Sequence, residues 1–325
     1  MNTMKWLLRR EFWEHKGAML WAPLVAAALI IAVMGGSLMY GAATGKFDSK
    51  TTVRFDSGKE VTVTEAFAGL AANKKEQIAD AVSGGFIAPA GPLFIMMAFT
   101  IFFYCLNSMN EERRDRSILF WKSLPVSDGE TVLSKALVAL FVIPLITVVV
   151  AVCMSLILLF FAGIVAAMLG VNMWGAVLGN GDFYLTPLRL IGLLPVYMVW
   201  ALPTVGWLML VSAWAKSKVF LWAVVAPLIA MLIVKWTAFV LGVGLNLDWF
   251  ARHVLLRGLA GIIPGTWIPM SGMEHNNSLP PADAISAVFT GSWATLATAP
   301  AILGAVAGIA MIYGASRLRR WKDEG

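Results

Sequence analysis

The sequence predicts an all-α integral membrane protein of six transmembrane helices, and three observations carry that prediction. Charged residues are only 14% of the 325 and hydrophobic ones 59%, whereas a soluble domain carries about 25% charge. Six charge-free runs reach the roughly 20 residues that a helix needs to cross about 30 Å of hydrocarbon. Lys and Arg crowd the connections that lie on one side of such a six-span chain, following the positive-inside bias. A single membrane domain, residues 1–325, accounts for the sequence.

In chain order, MKWLLRREFWEHKG sets Met4, Leu7, Leu8 and Phe12 at near-helical spacing, with Arg9, Arg10 and Glu14 on other faces. That is the pattern of an amphipathic helix along the membrane interface. The first run, about 18–41, exceeds the ~7–15 apolar residues of a signal peptide and reads as a span. In the outer loop 42–85, VRFDSGKEVTV alternates apolar and polar residues about Ser57 and Gly58, a hairpin signal. TEAFAGLAANKKEQIADAVSGG then spaces Phe67, Leu70, Ala71, Ile78 and Val82 for a helix ended by Gly84 and Gly85.

The second span covers about 86–106 and the third about 136–169. A straight helix of that third length reaches about 50 Å, so it projects from the membrane or bends at Pro144. Span four, about 190–214, is irregular by virtue of Pro195 and Pro203, and span five covers about 219–244. The outer segment 245–292 mixes apolar VLLRGLAGIIPGTW with polar EHNNSLPPAD, and part of it is expected to dip back into the membrane against protein. Span six covers about 293–314. Cys105 and Cys153 fall inside spans and read as small buried hydrophobes.

The basic residues at span ends, among them Arg9, Arg10, Arg113, Arg114, Lys216, Arg317 and Arg319, put both termini in the cytosol. Six further basic residues in loop 42–85 are balanced there by six acidic ones. The net charge of +6 is met by anionic membrane lipid, so no nucleic-acid partner is expected.

Several chemistries are missing. His15, His253 and His275 are isolated and form neither H-E-x-x-H nor an axial haem pair, so no metal site and no catalytic residue is expected. GAATGKF is one residue short of a phosphate loop and has Phe47 where a magnesium-binding hydroxyl belongs. Lys235, the one charge well inside a span, either snorkels to the outer boundary or faces a transport pathway.

The cytosolic loop 107–135 is the densest functional signal. Glu111, Glu112, Arg113, Arg114, Asp115 and Arg116 mix signs within one and a half helical turns, and Ile118, Leu119, Phe120, Trp121 and Leu124 form an apolar cluster. Pro125 breaks the chain, and Ser127 with Glu130 forms an S-x-x-E capping box that starts a helix running through Lys135 into span three. By pattern alone this is either an inter-helix elbow with interfacial aromatics or a docking surface.

The stretch ERRDRSILFWKSLPVSDGETVLSK resembles the cytosolic loop of ABC type-2 permeases, where a charged Glu/Arg segment leads to L-P-V-S and a Lys opening the next span. The resemblance is close over this loop and loose over the rest of the chain. It implies an ABC type-2 (type V) exporter-like fold, and a dimer with a second copy or a homologous permease, held in the inner membrane of a prokaryote. It also implies two separate ABC ATPase subunits, which would carry ATP and Mg and dock on Glu111, Glu112, Arg113, Arg114, Arg116, Leu119, Phe120, Trp121, Leu124, Pro125, Ser127 and Glu130. The apolar side chains would fill a groove on the ATPase and the arginines would fix its register. The chain itself would not be an enzyme. The competing expectations are an ATP-independent secondary transporter and a non-transporting membrane subunit for immunity, sensing or anchoring.

Overall fold

The computed structural model describes residues 3–45, 52–54, 60–62, 82–83, 85–114, 127–168, 173–242, 255, 257–268 and 281–322. Among the described residues, six helices are long and apolar enough to cross a membrane: Gly17–Ala43, Ala88–Arg114, Asp128–Met168, Gly181–Trp214, Leu221–Leu241 and Ala299–Trp321, spans 1 to 6. Helices outside them are α1 (Thr3–Glu14), α2 (Met173–Leu178), α3 (Arg257–Ala260) and α4 (Pro281–Ala294). The chain is a helical, multi-pass membrane protein.

Between spans 1 and 2, strand β1 (Thr52–Arg54) pairs antiparallel with β2 (Glu60–Thr62), setting Val53 opposite Val61. These are the strands of the expected hairpin, whose turn about Ser57 and Gly58 lies outside the described residues. The helix expected after it lies outside the described residues except for 82, 83 and 85.

Proline and glycine chemistry shapes the spans. Span 3 is 41 residues long. Its start packs beside α1 and Arg319, and a π-helical turn at Val138–Val142 ends two residues before Pro144. A proline cannot donate to the carbonyl four residues back, and a widened turn absorbs that mismatch. Span 4 breaks at Leu193, between helices Gly181–Gly192 and Leu194–Trp214, because Pro195 is tolerated in the first turn of a new helix. Span 5 ends at Gly242, whose φ of 63° is a left-handed cap that glycine adopts without strain.

Span 6 begins later than the charge-free run implies. Trp293 belongs to α4, and a short 3-10 turn at Thr295–Ala297 separates α4 from the span.

Spans 4 and 6 form the closest helix pair. A methyl added at Gly308 would lie 2.6 Å from the Leu202 carbonyl, and one at Gly206 would lie 2.6 Å from the carbonyl oxygen of Gly308. Small residues allow this backbone approach, the usual basis of helix association in a solvent as apolar as the side chains. The main core joins spans 2, 3 and 4 through Ile101, Val138, Val205, Leu208 and Met209, with Ala315 from span 6. Spans 1 and 5 stand largely outside it, and no residue of the helix Ala226–Leu241 is buried.

Residues 257–268 fold back against the inner helices. The Thr204 hydroxyl donates to the Arg257 carbonyl at 2.9 Å and accepts from the Gly261 amide at 3.1 Å, and the Tyr197 hydroxyl donates to the Ile262 carbonyl at 3.0 Å. Trp267 donates to Ser292 of α4 at 2.9 Å. Thr204 is about 15 Å along the helix from Trp214, half of a hydrocarbon layer. The segment therefore packs beside the middle of span 4, as the expected re-entrant backbone would.

Candidate functional site

The site develops from α1. Leu7 and Glu11, one helical turn apart, share its buried face, which places a carboxylate with 0% exposure beneath the helix. Its partners come from three elements. The Tyr104 hydroxyl of span 2 donates at 2.9 Å, Lys135 of span 3 approaches both oxygens at 3.0 and 3.1 Å, and Arg10 of α1 lies at 2.5 Å.

The network then extends across the same end of the bundle. Lys135 also pairs with Glu112 at 3.1 Å, Glu112 with Arg319 of span 6 at 2.9 Å, and Arg319 with Asp128 at 3.2 Å. Glu11, Glu112 and Asp128 thus alternate with Arg10, Lys135 and Arg319, and Arg10 also approaches the exposed Glu14 at 3.8 Å. Paired with opposite charge in this way, the buried carboxylates escape the cost of isolated buried charge. Burial alone would raise the Glu11 pKa, but Lys135 and then Arg10 together outweigh it and hold the carboxyl at about 2.

Neighbouring hydrogen bonds fix the start of the connection from span 2 to span 3. Arg113 donates to the carbonyls of Ala213 at 2.8 Å, Ala215 at 3.0 Å and Ser212, capping the last turn of span 4. The Ser212 hydroxyl accepts from the amides of Met109 and Asn110 at 3.1 and 3.3 Å. Beyond the connection, the capping box is complete. The Glu130 amide donates to Ser127 Oγ and the Ser127 amide to the Glu130 carboxylate, each at 3.2 Å.

The residues expected at a docking surface therefore divide. Glu112 and Arg113 make internal contacts, Ser127 and Glu130 cap the start of span 3, and Glu111 and Arg114 are exposed. Arg116, Leu119, Phe120, Trp121, Leu124 and Pro125 lie outside the described residues. Lys235 is exposed on span 5, beside Val234, which lines a cavity described below.

Sequence reasoning missed Glu11, Tyr104 and Arg319. The available signal was Glu11 itself, an acid one turn from Leu7 on the apolar stripe of α1. Among the described residues, no three His, Cys, Asp or Glu side chains converge as metal ligands. Comparison with family models, curated proteins and solved structures gives no match.

Proposed function

We propose that this chain is the membrane-spanning subunit of an ATP-driven transporter, an exporter of the ABC type-2 class, worked by separate ATPase subunits that dock on the connection between spans 2 and 3. The observation that carries this reading is the ionic cluster joining both ends of that connection to α1 and to span 6. Glu112 stands just before the connection and Asp128 just after it, and Arg319 bridges the two. A force applied to the connection would then reach three spans and α1 together, as coupling to an external ATPase requires.

The sequence supports the same reading, because it offers a charged-then-apolar docking loop and no complete phosphate loop. In this scheme the cluster lies at the cytosolic face, where the basic residues place the termini. Leu119, Phe120, Trp121 and Leu124 are the proposed anchors, since aromatic side chains commonly dominate such interfaces.

Replacing Leu119 and Trp121 together with Asp is expected to abolish co-purification of the ATPase while membrane insertion stays normal. Undiminished co-purification with the double variant would refute the docking assignment.

A further inference from the structure

A second feature lies away from the ionic cluster. Span 5 is held to span 4 near its start, where Trp207 donates to the Ala223 carbonyl at 2.9 Å. Beyond Val225 the helix Ala226–Leu241 has no buried residue, so it leans away from its neighbours. A cavity of about 840 Å³ fills the gap between spans 4, 5 and 6 and the re-entrant segment. That volume falls in the usual range of small-molecule sites.

The walls include Trp207, Met231, Leu303 and Met311, and every lining residue except Arg257 is apolar or glycine. From Ala299 to Met311 the wall formed by span 6 runs about 18 Å.

Arg257 is poorly satisfied. One guanidinium nitrogen, Nη1, donates to the Pro300 carbonyl, and the group stacks 4.2 Å from the centre of the Trp200 ring. Nε and Nη2 are buried without a hydrogen-bond partner, and no acidic side chain among the described residues pairs with the group. The guanidinium rests over Gly304, where any side chain would collide with it. Gly304 lies one helical turn nearer the start of span 6 than Gly308, which packs level with Leu202 to Gly206 of span 4. A cation therefore lies against a membrane-spanning helix beside an apolar slot, with no acidic partner among the described residues.

We propose that this cavity binds an amphiphile whose anionic group, a carboxylate or a phosphate, pairs with Arg257 while its hydrocarbon chain lies along spans 5 and 6. An uncharged ligand would leave the arginine unneutralised, a zwitterionic one would bring a second cation beside it, and a small hydrophilic anion would leave the apolar walls empty. The site does not depend on ATPase docking, so it stands or falls separately from the proposed function.

The test is native mass spectrometry of the full chain, purified without an ATPase in a non-ionic detergent. The probes are myristate and dodecyl phosphate, phosphatidylglycerol, and the uncharged dodecanol and zwitterionic phosphatidylcholine as references. Wild type is expected to bind the anionic probes at least tenfold more tightly than the references, Arg257→Gln to lose that preference, and Arg257→Lys to keep part of it. Met231→Trp, on the helix with no buried residue, fills the slot from outside the core and is expected to lose binding while folding normally.

Capture of the single-chain acids alone identifies a free amphiphile, and capture of phosphatidylglycerol alone identifies a lipid drawn from the bilayer. Equal affinity for anionic and reference probes, or unchanged binding by Arg257→Gln or by Met231→Trp, overturns the proposal.

Discussion

At Glu11 a single carboxylate holds together three elements that are remote in sequence, through Tyr104, Lys135 and Arg10. Because its folded pKa of about 2 lies below the usual carboxylate value, its contribution is fully present above that value and is lost as pH falls through it toward 2. The contribution is about 3 kcal/mol. The heating midpoint of the detergent-purified chain should therefore gain no pH dependence from Glu11 between pH 6 and 8 and should fall from pH 5 to 3. Glu11→Gln should lower the midpoint at pH 7 and weaken this acid dependence, and a variant with unaltered acid dependence would deny Glu11 its role. In a double-mutant cycle, Glu11→Gln and Lys135→Gln should show a coupling of at least about 1 kcal/mol. Little of this was legible in the sequence, where Lys135 read as the residue opening a span and its partner lay 124 positions away. Arg257 was only half legible: its apolar stretch VLLRGLAGIIPGTW was expected to dip back in part, but nothing in the sequence pairs it with Thr204 and Trp200.

At the scale of elements, the spans were legible because hydrocarbon imposes a length and excludes charge, and both can be counted. The hairpin and the capping box were legible because each is a local contest decided within a few residues. The start of span 6 was not, since the 3-10 turn at Thr295–Ala297 falls inside a charge-free run and no charge marks the place. Contact between spans 4 and 6 depends on glycines that sequence alone does not pair. Gly308→Ala should push these helices apart, because its methyl meets backbone at 2.6 Å, whereas Gly314→Ala meets only the end of the Leu210 side chain at 3.2 Å. Heating midpoints should fall by several degrees for the first and much less for the second. Equal falls would contradict the close crossing.

For the whole molecule, α1, span 6 and the residues flanking the connection between spans 2 and 3 meet in one ionic cluster, while segment 257–268 and its cavity lie along spans 4 to 6 away from it. This separation suits a device that receives force at one end and handles an amphiphile within the bilayer. Resemblance in one loop suggested the force-receiving end, and the network behind that loop gives it a physical route to the spans. The most direct measurement is affinity purification of the tagged full chain from its own membranes in mild detergent, with identification of whatever binds stoichiometrically. The account predicts a soluble protein carrying G-x-x-x-x-G-K-[ST], in two copies per pair of permease chains, that is lost when Leu119 and Trp121 are replaced by Asp. An intact, membrane-inserted chain recovered with no nucleotide-binding partner would contradict it.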